Sequence, residues 1–169
     1  ALDWFQSHLD EMVEAISTLV RVKSVSREDQ AQPNAPFGPG CRRVLDTAIR
    51  LARSMNFDVR DCEGYCAAAS SGDDARAIGI AAHLDVVPEG DGWLHSPYDP
   101  VREGDYLFGR GVSDNKSAAV LGLYCMKYLE ETHSLRHGVR LLMGVSEETG
   151  MRDLAYYARH YPCPDFTLV

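Results

Sequence analysis

The 169-residue chain is 45% hydrophobic and 25% charged, with a formal net charge of −8, which reads as a globular domain with one core rather than a disordered or fibrous chain. The acidic balance speaks against nucleic acid or an anionic membrane as partner, since both need clustered Lys and Arg. No apolar run reaches the roughly 20 residues of a bilayer span, the amino terminus lacks the pattern of a secretory leader, and five scattered cysteines suit a reducing compartment, so the expected address is cytoplasmic.

Leu2, Phe5, Leu9, Met12, Val13, Ile16, Leu19 and Val20 recur at three- and four-residue steps and predict an amphipathic opening helix. A loop rich in Pro, Gly and Asn (32–40) precedes a second helix with Val44, Leu45, Ala48, Ile49, Ala52 and Met55 on one side. Short strands are expected over 57–61 and 65–70, a turn at Gly72-Asp-Asp74, and a strand buried on both faces over 77–82. Cys62 and Cys66 have no second pair to complete a structural zinc site, and read as small apolar fillers.

The segment 88–104 is too polar for a core and too long for a tight turn, so it is expected to be a functional surface loop pinned by Trp93 and Tyr98. A short strand (106–108), a helix apolar almost all round (115–131), an apolar strand (139–145), a helix (151–160) and one more strand beginning at Phe166 complete the chain. The alternation predicts an α/β fold, a layered mixed sheet flanked by helices. The last strand stops in an apolar run, and the chain is expected to be truncated there.

Three clusters carry chemistry. His83 and Asp85 sit at the end of an apolar strand, where alternation places both on one face and a nitrogen-plus-oxygen set suits a hard or borderline cation; a buried His–Asp hydrogen bond is the plainer alternative. Asp114 follows Gly109-Arg-Gly111 and precedes the buried helix, so it can cap that helix or bind a metal. Glu147 and Glu148 follow an apolar strand, where adjacent carboxylates repel unless a cation or protons compensate. Pointing in different directions, one can bind metal while the other takes a proton; a solvated pair on a loop is the alternative. His133 and His137 read as surface residues, and His95 as either solvent-facing or near substrate. A Gly-x-Ser-x-Gly elbow and a Walker loop are both absent from the sequence.

Taken together, His83-Leu-Asp-Val-Val-Pro88, Gly90-Asp-Gly-Trp93, Gly109-Arg-Gly-Val-Ser-Asp-Asn-Lys116 and Ser146-Glu-Glu-Thr-Gly150 resemble the M20 family of dinuclear zinc or cobalt peptidases, especially its bacterial dipeptidase branch. The resemblance implies that His83 binds one metal, Asp114 bridges two, Glu148 binds the ion that His83 does not, Glu147 is the general base and Asp85 orients the His83 imidazole. It implies two Zn²⁺ per complete site, with Co²⁺ or Mn²⁺ as substitutes, and a small peptide as substrate. Ser117 stands where the family usually has Gly. A further metal-binding Asp beyond the strand at Phe166, a lid domain and a final His ligand are expected by resemblance and lie outside these residues.

The expectation is therefore that residues 1–169 form the amino-terminal portion of a metallopeptidase catalytic domain, inactive by itself. The rivals are an amidohydrolase that deacylates N-acyl amino acids, whose substrate a lid would choose, and a non-catalytic fragment with an incomplete metal site.

Overall fold

The computed structural model describes residues 1–73 and 76–169; the predicted turn at Gly72-Asp-Asp74 extends outside them at Asp74. Five strands form a mixed sheet in the order β1-β2-β6-β3-β7: β1 (Asp58–Cys62), β2 (Cys66–Ser71), β3 (Ala77–His83), β6 (Gly138–Gly144) and β7 (Phe166–Leu168). A hairpin joins β1 to β2, closed by the Tyr65 N–H on the Cys62 carbonyl. β2 and β6 run antiparallel, whereas β3 is parallel to both β6 and β7.

The period-2 alternation of the central strands separates two cores. Ala67 and Ala69 of β2, with Val139, Leu141 and Met143 of β6, face α2 (Leu9–Val20), α3 (Gly38–Ser54) and α4 (Ser117–Glu131). Cys66, Ala68 and Leu142 face the opposite way, against Tyr157 of α5 (Arg152–His160). Arg140 interrupts the apolar reading of β6, and is accommodated by hydrogen bonds to the Tyr157 hydroxyl and the Pro162 carbonyl oxygen. Cys62 and Cys66 are buried free thiols, as their reading as fillers requires.

Several boundaries differ from the sequence reading. The opening helix is broken into α1 (Leu2–Ser7) and α2 at His8, where the Ser7 hydroxyl and the His8 ring both turn back onto the Trp4 carbonyl and local side-chain bonding competes with the helix. Helix α3 begins at Gly38, inside the predicted loop, because Pro39 is well placed in a first turn, where no backbone N–H is needed. The loop after Pro88 ends sooner than expected: β4 (Val101–Glu103) pairs with β5 (Tyr106–Phe108) as a separate hairpin, a pairing too short to leave a periodic signal. Helix α4 is less enclosed than its composition suggests, since Leu121 lies half exposed. Among the described residues, no helix is long and apolar enough to cross a membrane.

Candidate metal centre

The centre forms where two parallel neighbours end together. His83 closes β3 in register with Gly144, the last residue of β6, and Leu84 prolongs the pairing by donating its N–H to the Gly144 carbonyl at 2.8 Å. On its other side the segment from Leu84 to Val86 is held by Ser24: the Ser24 hydroxyl donates to the Leu84 carbonyl at 2.7 Å, and the Val86 N–H donates to the Ser24 carbonyl at 3.1 Å. Ordinary strand bonding therefore drives His83 and Asp85 into the protein and aims them at the turn that follows β6.

That turn, Glu147–Thr149, is a single 3₁₀ turn. His83, Glu147 and Glu148 each offer a ligand atom, all within 4.8 Å of one another. Nε2 of His83 lies 2.9 Å from Asp114 Oδ1 and 3.9 Å from Glu147 Oε2. Its other nitrogen, Nδ1, lies 3.1 Å from the backbone carbonyl oxygen of Asp85 and 3.4 Å from Asp85 Oδ1. The fully buried Asp85 carboxylate accepts the Glu147 N–H at 3.2 Å with Oδ1 and the Glu148 N–H at 3.1 Å with Oδ2. One carboxylate thus faces the imidazole and also holds the acidic turn.

Asp114 arrives by a different route from the other candidates. It follows β5 of the separate hairpin, whereas His83 closes β3 of the main sheet. It sits in an irregular helical turn, Val112–Lys116, with non-helical φ/ψ, and the Asp114–Asn115 peptide is cis. Gly111, at φ +85°, begins this turn; a Cβ there would lie 2.7 Å from Val86 Cγ1, so glycine is needed for both the backbone conformation and the close approach. Asp114 makes no capping bond to α4. Its side chain is largely exposed except for its contact with His83.

The same turn is anchored from beneath by Lys116. Its fully buried ammonium donates to the Leu19 and Val22 carbonyl oxygens at 3.0 Å each, at the carboxyl end of α2. Burial pulls its pKa down to about 7, against the opposing fields of Cys41 and Asp85. Lys116 thus fastens the loop to the Leu19 and Val22 carbonyl oxygens.

The electrostatics favour a cation. Burial opposes the charged form of His83, but hydrogen bonding and charge from Asp85, reinforced by Asp114, outweigh it and hold the imidazole up to about 9. Burial also raises the pKa of Glu148, and the neighbouring charges of Asp114, Glu147 and Asp85 raise it further against the pull of His83. Four carboxylates around one imidazole make an unbalanced negative cluster. A nitrogen and several carboxylate oxygens form a donor set that fits zinc or a similar divalent ion.

The remaining histidines stand apart. His95 pairs with Glu103 at 3.2 Å within the separate hairpin and its loop, and His133 and His137 are exposed. The expected pinning of the long loop is present, with Glu89 as its hub: Trp93 Nε1 donates to the Glu89 backbone carbonyl, while the Tyr98 hydroxyl and Lys23 ammonium donate to its carboxylate. Sequence reasoning passed over Asp153, which is buried beneath the acidic turn. An Asp in the first turn of a helix usually reads as ordinary dipole compensation, and only its burial distinguishes it.

Comparison with known proteins places this chain in a peptidase family. A family model described as Peptidase family M20/M25/M40 matches residues 79–166, the stretch that contains all five candidate residues. A candidate dipeptidase of Staphylococcus aureus (strain USA300) is 30% identical over 145 residues, or 85% of this chain and 31% of its own length. The chain thus spans about a third of the length of the curated relatives it matches. Human carnosine dipeptidase 1 superposes with a TM-score of 0.77 at 21% identity, covering 98% of this chain and 39% of that one. An M20 family metallo-carboxypeptidase of Sulfolobus solfataricus gives 0.69 at 21% identity, over 83% of this chain and 32% of its own. These two likenesses carry the fold.

Proposed function

This chain belongs to peptidase family M20/M25/M40, and from that membership we propose that it contributes one part of the dinuclear metal centre of a dipeptidase. The observation that carries the proposal is the meeting of His83, Glu147 and Glu148 within 4.8 Å. The relative named as a candidate dipeptidase supports the choice of small peptides as substrates. In this reading residues 1–169 form the amino-terminal portion of the catalytic domain, and the remaining ligands and a substrate-binding lid come from other sequence. The isolated chain would then hold a cation weakly and leave dipeptides intact.

His83 and Asp114 would share one ion, Asp114 would reach the second, and Glu148 would hold that second ion. Zinc is the preferred occupant, with cobalt or manganese as substitutes, because an imidazole with carboxylates suits a borderline cation. Bound there, the ions would supply Lewis acidity toward a peptide carbonyl and make water easier to deprotonate. Glu147 serves as general base: half exposed, and 3.9 Å from the imidazole, it can take a proton from water and deliver it to the departing amine. Asp85 keeps Nδ1 of His83 engaged, which would leave Nε2 as the nitrogen to hold an ion. A cytoplasmic setting fits the free thiols.

The test is release of free amino groups from dipeptides by the full-length protein supplied with zinc. Turnover is expected to vanish with a chelator and with His83→Ala. Hydrolysis that survives both overturns the reading, and deacylation of N-acyl amino acids in its place would move the protein to the amidohydrolase class.

A further inference from the structure

The acidic turn is held by more than the strand it leaves. The β2–β6 ladder ends at Gly144, yet the next four backbone N–H groups are all bonded to buried carboxylates. Glu147 and Glu148 donate to Asp85. Val145 and Ser146 donate to Asp153 Oδ2, at 2.6 and 2.8 Å. The other oxygen of Asp153 accepts the Leu154 N–H at 2.7 Å. Asp153 is 1% exposed.

We propose that Asp153 is a positioning residue for this centre, aiming the Glu147 and Glu148 side chains by gripping the two amides that precede them. The inference deepens the functional reading above, because it takes these two glutamates as the working carboxylates. Two features set Asp153 apart from an ordinary acid in a helical first turn. Oδ2 binds amides outside its own helix, and charge-assisted bonds of this kind are roughly twice as strong as neutral ones. Gly144 also leaves the space it occupies: a Cβ on Gly144 would fall 2.3 Å from Asp153 Oδ2. A side chain at position 144 would expel the carboxylate, so the glycine and the acid form one device.

The geometry explains why two clamps are needed. A peptide plane fixed at both ends cannot rotate, and the direction in which a side chain leaves its Cα follows from the planes on either side. Asp153 fixes the planes entering Val145 and Ser146, and Asp85 those entering Glu147 and Glu148. Loss of either clamp frees the turn to pivot. A misplacement of about 1 Å at a catalytic group can cost roughly a hundredfold in rate.

Amide hydrogen exchange on the metal-free chain tests the coupling directly. In Asp153→Ala the Glu147 and Glu148 amides, which bond to Asp85 and not to Asp153, are expected to lose about tenfold more protection than amides of β1 and β2. Asp153→Asn, which keeps one acceptor oxygen, should lose less, and Gly144→Ala should resemble Asp153→Ala. Val59→Ala, a core change in β1, serves as control for general destabilisation and should not single out this turn. Unchanged relative protection at Glu147 and Glu148 in whichever of the Asp153 variants folds overturns the inference. Zinc competition against a chromophoric chelator in the full-length protein supplies the second readout, with about tenfold weaker binding expected in Asp153→Asn. Faster exchange with zinc affinity and kcat both unchanged also overturns it. A wild-type protein that binds no zinc counts against the functional reading instead, and exchange alone then decides whether Asp153 aims the turn.

Discussion

Asp85 Oδ1 accepts the backbone N–H of Glu147 at 3.2 Å across 62 positions of sequence. The residue expected to orient the His83 imidazole has two engagements: its backbone carbonyl and carboxylate face Nδ1, while the same carboxylate holds two successive amides of the acidic turn. The first and last parts of the centre are therefore mechanically joined through one buried side chain, and a disturbance at Asp85 reaches both.

Asp85→Asn tests this junction. The amide group offers one acceptor oxygen and one donor where two acceptors stood, so one N–H of the turn loses its partner. An unsatisfied buried group costs about 1–3 kcal/mol, to be read from urea unfolding of the chain. Metal affinity of the full-length protein, followed by chelator competition, is expected to fall by roughly 10–100-fold. Lost stability with unchanged affinity would assign Asp85 a purely structural role.

Glu147 and Glu148 are adjacent but have separate assignments. Glu147→Gln in the full-length protein should nearly abolish dipeptide turnover while leaving zinc affinity close to wild type, because a proton acceptor is removed and the assigned ligands remain. Glu148→Gln should weaken zinc binding instead. Zinc titration beside hydrolysis rates distinguishes them, and equal loss of metal in both variants would show that Glu147 is also a ligand, as its place in the 4.8 Å group permits.

The long loop gives a pH-dependent prediction. The Lys23 ammonium, helped by a backbone bond and the Tyr98 hydroxyl, holds the Glu89 carboxyl down to about 2 from an ordinary 4.5. Its folded-state pKa lies below its unfolded one, so its contribution to stability is complete above about 4.5 and is lost as pH falls toward 2. Glu89→Gln is expected to flatten the fall of the urea midpoint across that window, bringing wild type and variant together near pH 2. Parallel curves for the two proteins would mean that the Glu89 charge adds nothing.

Much of this architecture is legible in the residues. The apolar runs leading to His83 and Glu147 read as strands because the pattern of apolar residues is a local property, although Ile78 of β3 is exposed rather than buried. β5 reads as a strand from its residues, but its partner β4 does not, because three residues at the end of a polar loop carry too little alternation. The break at His8 was hidden by a periodicity that runs straight through it, since side-chain bonds to the Trp4 carbonyl leave the pattern of apolar residues intact.

The sequence by itself determined the kinds of group available, the α/β layering and the family to which the chain belongs, since these depend on residue type, spacing and local preference. Only the tertiary structure decided which groups meet. It placed β6 beside β3 in parallel register, so that the turn bearing Glu147 and Glu148 faces His83. It brought Asp114 in from a separate hairpin, and gave Asp153 and Lys116 partners at positions 145, 146, 19 and 22. The physical reason is that burial and hydrogen-bond satisfaction are properties of the packed chain: a carboxylate such as that of Asp153 reads the same in sequence whether water or three backbone amides surround it.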